Sequence, residues 1–348
     1  MVDVVVVDDS QFMRVQITEI LEQGGHTVVA DASNGKEAVR VVAEAEPDVV
    51  TMDVKMPGMD GIEAVEAIMD ERPTPVLMLS RYTEEGAETT LEALNAGAVD
   101  FMMKPNGEVT TGLVQYADDL VELVDVVSAA DLASPSAVDT ETVTPESELG
   151  LAAFDTPPTV VIAASTGGPA EIHSIVGSLS ESFGARLLIV QHMPGKFTGR
   201  FADRLDDLSE FSVSEAEPSA TVGPNEVVVA PGGYHLEVER DTGQELVVGL
   251  TEDPPVHSVR PAADVTLESV AETVSGPLLA VVLSGMGRDG AAGVEAVAEA
   301  GGRVIVQDPD AARISAMPDR AIATGVVDSV VPTAEIPETL YELLDSSD

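Results

Sequence analysis

The chain alternates short apolar runs with segments of helical period, and it does so twice, on either side of a stretch rich in Ser, Thr, Pro and acidic residues. Alternation of this kind dictates βα units on a parallel sheet, because two parallel strands can be joined only by a crossover long enough to hold a helix. In the first half, Val4 to Val7, Thr27 to Asp31, Val49 to Met52, Val76 to Leu79 and Asp100 to Met103 read as strands. Phe12 to Gln23, Gly35 to Ala45, Gly61 to Asp70, Glu85 to Ala96 and Thr111 to Val127 read as helices between and after them. This predicts a flavodoxin-like (βα)5 domain over 1–125, a flexible acidic linker over 126–157 and a second α/β domain over 158–348. In that second domain Val160 to Ala164, Arg186 to Gln191, Leu278 to Leu283 and Arg303 to Gln307 continue the parallel, doubly wound pattern. Val227 to Val229, Tyr234 to Glu239 and Glu245 to Leu250 look like antiparallel strands with a hairpin at Asp241-Thr242-Gly243.

Parallel sheets keep their chemistry at the carboxyl ends of the strands. Three apolar runs of the second half end in a hydroxyl, an imidazole and a carboxylate: Ser165 in Ala164-Ser165-Thr166-Gly167-Gly168, His192 in Gln191-His192-Met193-Pro194, and Asp289 in Gly285-Met286-Gly287-Arg288-Asp289-Gly290. A nucleophile, a base and an acid that orients the base are the parts of a serine hydrolase. Ser165 opens a strand-to-helix turn whose glycines let backbone approach a substrate, and free N–H groups at a helix start favour an oxyanion. Ser-Thr-Gly-Gly could instead cradle a phosphate, although it lacks the Walker spacing and an adjacent Lys. His235 and His257 compete with His192 for the role of base, and Asp289 could simply cap a helix. The Gly285-Met286-Gly287 turn can supply backbone donors to an oxyanion.

The first half ends its strands differently, with Asp8 and Asp9 after the first, Asp53 after the third, Ser80 after the fourth and Lys104 after the fifth. Carboxylates gathered at one sheet edge repel unless a hard cation sits among them, which describes Mg²⁺, and a bound Mg²⁺ invites a phosphoryl group. Asp53 is then the natural acceptor, with Lys104 and a hydroxyl for the remaining oxygens.

With Asp53-Val54-Lys55-Met56-Pro57-Gly58-Met59-Asp60-Gly61, these residues resemble the response-regulator receiver domain over 1 to about 125. The resemblance implies that Asp8, Asp9, Asp53 and the Lys55 carbonyl surround Mg²⁺, that a chemotaxis histidine kinase phosphorylates Asp53, that Ser80 and Phe101 reorient as a switch with Lys104, and that the Lys104–Pro105 bond is cis. From about Pro158 onward the chain resembles the catalytic domain of the chemotaxis protein-glutamate methylesterase family, CheB. The triad carries that resemblance together with Pro231-Gly232-Gly233-Tyr234-His235, Asp253-Pro254-Pro255-Val256 and Arg260-Pro261-Ala262-Ala263-Asp264. Ala163 stands where the family commonly has Gly. The resemblance implies demethylation of glutamate γ-methyl esters on chemoreceptors, with the Met286 N–H as an oxyanion donor, Thr166 lining the cleft, no cofactor in the esterase site, and deamidation of receptor glutamines as an associated activity. It also implies that the unphosphorylated receiver covers the cleft. A phospho-regulated binding protein and a hydrolase of small esters remain as alternatives.

Lys and Arg total 17 against 62 Asp and Glu, a net charge of −45, which excludes non-specific nucleic-acid binding, since that needs basic patches able to release counterions. The acid excess matches a salt-adapted protein, because at molar salt the Debye length falls to about 3 Å and dense surface carboxylates stop repelling one another. A hydrophobic content of 44% leaves ample material for packed cores. The absence of cysteine rules out thiol chemistry. No basic, apolar leader opens the sequence, so a cytoplasmic protein that meets receptor membranes only peripherally is expected.

Overall fold

The computed structural model describes residues 1–80, 84–104, 110–132 and 156–345. The chain divides into two compact units, Met1–Ser136 and Ala137–Asp348. Most of the expected linker and the Lys104–Pro105 bond lie outside the described residues. Among those residues, no helix is long and apolar enough to cross a membrane.

In the first unit the strands are β1 (Asp3–Val7), β2 (Thr27–Ala32), β3 (Val49–Asp53), β4 (Val76–Ser80) and β5 (Asp100–Met103). The helices that follow them are α1 (Gln11–Gln23), α2 (Gly35–Ala45), α3 (Gly61–Glu71), α4 (Glu84–Asn95) and α5 (Thr110–Ser128). The sheet is parallel in the order β2-β1-β3-β4-β5. Helices cover both faces, so β3 and β4 are buried at every residue, which is why those runs carry no polar alternation. Helix starts are set locally. Asn34 Oδ1 accepts the Glu37 N–H at 3.0 Å, and Asp60 with Glu63 forms a capping box at the start of α3. The chain reverses direction between β1 and β3, which opens the crevice where Asp8 and Asp53 lie.

The second unit is built on β6 (Thr159–Ala164), α6 (Gly168–Ser178), β7 (Arg186–Gln191), α7 (Gly195–Leu208), β8 (Ser212–Glu215), β9 (Thr221–Val222), β10 (Glu226–Val229), β11 (His235–Asp241) and β12 (Leu246–Thr251). It continues through α8 (Ala263–Thr273), β13 (Leu278–Val282), α9 (Ala291–Glu299), β14 (Arg303–Gln307), α10 (Ala316–Ala323), β15 (Ser329–Val331) and α11 (Ile336–Asp345). Seven strands form one wholly parallel sheet, β15-β14-β13-β6-β7-β10-β8. The expected antiparallel strand at Val227 to Val229 is therefore corrected, since β10 pairs in parallel with β7 and β8. The hairpin is present as β11 and β12, joined by β9 in a separate antiparallel sheet. A buried ion pair anchors it to the main sheet, with Arg186 Nη1 at 2.9 Å from Asp241 Oδ1 and Nη2 donating to Thr159 Oγ1 at 2.8 Å.

Candidate active site

β6 lies between β13 and β7, so residues just beyond these three strands share one edge of the sheet. The β6–β7 register pairs Ala164 with Gln191, and the His192 N–H donates to the Ala164 carbonyl at 3.0 Å. Ser165 and His192 are thereby neighbours. The serine turn is clamped on every side. Ser165 N donates to Ser284 O at 3.0 Å, Ser165 O accepts from Gly168 N at 2.9 Å and from Gln191 Nε2 at 2.8 Å, and Gly167 takes the left-handed conformation that lets α6 begin at once. Behind the turn, the Ser284 hydroxyl donates to Thr166 O at 2.8 Å and accepts from Ile314 N at 3.0 Å. Ser284 N donates to Gln307 Oε1 at 2.7 Å, and Gln307 Nε2 donates to Thr333 Oγ1 at 2.8 Å. Thr333 in turn bonds to Glu171 in the first turn of α6. Burial pushes the Glu171 carboxyl above the ordinary range, with Thr333 and Arg313 opposing.

On the other side of the serine, the turn after β13 brings Asp289 to His192, with Nε2 and Oδ2 2.7 Å apart. Asp289 Oδ2 also accepts from Ala263 N at 2.6 Å, and Oδ1 from Asp264 N at 3.0 Å and Gly290 N at 3.1 Å. The carboxylate thus caps α8, a neighbouring helix whose own N-cap, Ala262, has no side chain for the task. Burial alone would raise the Asp289 carboxyl, but the bond and charge of His192 and the two helix N–H groups outweigh it and hold the group below the usual carboxylate range. Since Nε2 faces Asp289, Nδ1 is the ring nitrogen left for the serine. Among the described residues no hydrogen bond joins Ser165 Oγ to His192.

Gly285 lies flat against Ser165, for a Cβ added there would stand 2.8 Å from Ser165 Cβ and 3.0 Å from Ser165 N, with Met317 Sδ nearer still. The next residue, Met286, is half-buried, and among the described residues its N–H has no backbone acceptor. Thr166 is buried beside it in the serine turn. His235 is excluded as the base, because its ring is 1% exposed, accepts from Ala262 N at Nδ1 and bonds Pro254 O at Nε2. His257 bonds Asp264 Oδ2 at 2.8 Å and belongs to a separate pair. Ligand atoms of His257, Asp264 and Asp289 lie within 4.8 Å of one another, yet their carboxylate oxygens are already committed to N–H donors. Sequence reasoning missed Asp264, Ser284 and Glu171. Gln191 and Gln307, polar residues closing apolar strands, were the signal for the clamp.

In the first unit, Asp8, Asp9 and Asp53 offer carboxylate oxygens within 4.8 Å of one another, and Lys104 Nζ lies 2.7 Å from both Asp8 Oδ2 and Asp53 Oδ1. Burial pushes the Asp53 carboxyl up; Lys104 opposes that, while the charges of Asp8 and Asp9 add to it. Three carboxylates against one ammonium leave an excess of negative charge on oxygen donors, which is the chemistry Mg²⁺ fits. Arg14 Nη1 donates to Asp8 O at 2.8 Å and fixes the loop that carries the acids. Ser80 closes β4. Its hydroxyl donates to Gly86 O at 3.2 Å and accepts from Thr90 at 2.7 Å, both on α4. Phe101 is buried on β5, and Lys55 is exposed two residues beyond β3.

The family model for CheB methylesterase matches residues 160–340, and that for the response regulator receiver domain matches 4–112. A protein of Natronomonas pharaonis named protein-glutamate methylesterase/protein-glutamine glutaminase is 52% identical over 344 residues, covering 98% of this chain and 97% of that one. A Halobacterium salinarum protein of the same name is 46% identical over 342 residues, covering 98% of each. The crystal structure of the Thermotoga maritima CheB methylesterase catalytic domain superposes with a TM-score of 0.52 at 40% identity, covering 54% of this chain and 99% of that one. The chain therefore belongs to the CheB methylesterase family, in the form that carries an N-terminal response regulator receiver domain.

Proposed function

We propose that this protein is a phosphorylation-activated esterase that removes methyl groups, as methanol, from glutamate γ-methyl esters of chemoreceptors, and so serves adaptation in chemotaxis. The observation that carries the reading is the 2.7 Å bond between His192 and a buried Asp289, beside a serine turn held at the adjacent strand end. The relatives share the name protein-glutamate methylesterase/protein-glutamine glutaminase, which agrees with it, and deamidation of a glutamine would be the same acyl transfer with ammonia as the leaving group.

In this mechanism Ser165 Oγ attacks the ester carbonyl while His192 Nδ1 takes its proton, and Asp289 stabilises the imidazolium. The oxyanion faces the Met286 N–H, with Thr166 lining the site. His192 then gives the proton to the departing methoxide, leaving a glutamyl ester on Ser165. Water attacks that ester, His192 accepts its proton and returns it to Ser165 Oγ, and the receptor glutamate is released.

In the receiver, Asp53 accepts a phosphoryl group from a histidine kinase. Asp8, Asp9, Asp53 and the Lys55 carbonyl would hold Mg²⁺, which when bound neutralises phosphoryl oxygens. Lys104 pairs with the phosphoryl group, and Ser80 exchanges its bonds to Thr90 and Gly86 for a phosphoryl oxygen as Phe101 reorients. The protein meets the membrane only through its receptors. Methanol release from radiolabelled, methylated receptor membranes in molar KCl tests this reading. Wild type releases methanol and Ser165→Ala does not. Release that persists in Ser165→Ala would sink the assignment.

A further inference from the structure

Next to Asp289 the chain places Arg288, and the structure builds a support for it that the triad does not need. Arg288 Nε donates to His257 Nδ1 at 3.2 Å. An arginine cannot accept, so the bond fixes Nδ1 of His257 as the acceptor and leaves the ring proton on Nε2, which faces Asp264 Oδ2 at 2.8 Å. Asp264 Oδ1 takes the Gly293 N–H at 2.8 Å, at the start of α9, whose own cap is a glycine. His257 and Ser258 occupy the tip of a two-residue turn closed by reciprocal bonds between Val256 and Val259 of 3.2 and 3.0 Å. Both tip residues have positive φ, 51° and 66°, a conformation that favours Asn and Gly and is costly for a histidine. A ring nitrogen of His257 and one oxygen each of Asp264 and Asp289 lie within 4.8 Å of one another, so the support abuts the catalytic carboxylate.

Several cations of this chain answer a carboxylate, as Arg14 answers Asp31, Arg186 answers Asp241 and Arg303 answers Asp328. Arg288 is exposed and pairs with no carboxylate among the described residues, although 62 acids compete for 17 cations in the chain. An arginine held through Nε keeps Nη1 and Nη2 as a pair of donors, the two-pronged geometry that binds a carboxylate. A contact made by paired hydrogen bonds also persists at salt concentrations that screen longer-range attraction.

We infer that Arg288 binds a carboxylate of the substrate close to the ester, and that His257 and Asp264 are positioning residues that aim it. The substrate class is then an acidic segment in which the esterified glutamate is flanked by free glutamates. This inference rests on the esterase reading above.

The test uses the full-length protein in molar KCl and two helical peptides, each with one glutamyl γ-methyl ester, flanked by Glu in one and by Gln in the other. Wild type is expected to show a KM about tenfold lower for the acidic peptide, the scale of one charged hydrogen-bonded contact. Arg288→Ala collapses that ratio toward unity through KM rather than kcat. Arg288→Lys, which keeps the charge but loses the fork, restores only part of it. His257→Ala lowers the ratio about threefold, and the double variant is no worse than Arg288→Ala, since His257 acts through Arg288. A wild-type preference that survives Arg288→Ala, equal KM values for the two peptides in wild type, or additive losses in the double variant would each overturn the inference while leaving the esterase intact. Hydrolysis of neither peptide by wild type would defeat the esterase reading and the inference together.

Discussion

Replacing Asp289 with Asn separates the roles that one carboxylate performs. Its two oxygens receive four donors: Ala263 N and His192 Nε2 on one, Asp264 N and Gly290 N on the other. An amide has one oxygen, so either orientation turns an NH₂ toward two of these groups. If the NH₂ faces His192, it donates to Nε2, drives the ring proton to Nδ1 and disables the base that Ser165 needs. If it faces Asp264 and Gly290 instead, their N–H groups lose their acceptor. The first orientation leaves one donor, the Ala263 N–H, without an acceptor and the second leaves two; at about 1–3 kcal/mol for each the first is favoured, and the variant should lose about 1–3 kcal/mol. For a domain of this size that lowers Tm by roughly 2 to 12 °C. The activity loss should be larger than this destabilisation explains, with kcat falling about 10⁴-fold from the wrong tautomer. The assay pairs thermal unfolding in molar KCl with methanol release at a temperature where the variant is folded. Asp289→Asn with kcat within tenfold of wild type, or with an unchanged Tm, would refute the account of how His192 is held. The sign with pH is also set. The folded-state value of Asp289 is depressed, so its stabilisation is present above the unfolded value of about 3.9 and is lost as pH falls through the lower folded one.

Gly285→Ala would place a methyl against Met317 Sδ and 2.8 Å from Ser165 Cβ, so Met317 and the serine turn must both shift; a loss near 100-fold in kcat is expected, and unchanged turnover would contradict the packing described. Asp53→Asn should raise the melting temperature of the receiver at neutral pH without Mg²⁺. The Asp53 pKa is raised, so ionisation costs stability as pH climbs through the folded value, and the gain should vanish in acid below the unfolded value, about 3.9. Arg186→Ala removes the ion partner of Asp241, whose carboxylate keeps only the Gly243 and Ser275 N–H groups, and denaturant unfolding should show a loss of about 3–5 kcal/mol that salt does not relieve. The net charge of −45 predicts a Tm that rises with KCl; a flat or falling curve would remove the argument for salt adaptation.

What was legible in the sequence followed from periodicity and from strand ends. Buried parallel strands read as unbroken apolar runs, so Ser165, His192, Asp289 and Asp53 stood out where each run stopped. Strand direction was not legible. Glu226–Val229 carries no mark of which neighbour it joins, and its place beside β7 is a long-range choice. The short edge strands Ser212–Glu215 and Ser329–Val331 pair at the sheet margins with too few apolar residues to announce themselves. Asp289 and Asp264 each cap a helix to which they do not belong, an exchange between α8 and α9 that no local spacing encodes. Ser80 ends its strand as expected, yet its hydroxyl is turned to Thr90, because a rotamer is decided by the helix packed on it.

The central claim is that one chain joins a phosphoacceptor to an esterase, and the direct measurement is the initial rate of methanol release from methylated receptor membranes with and without a small phosphodonor and Mg²⁺. The account predicts that the donor accelerates wild type, leaves Asp53→Asn at its unstimulated rate and produces no release from Ser165→Ala. Acceleration of Asp53→Asn equal to that of wild type, or no release by wild type in either condition, would contradict it.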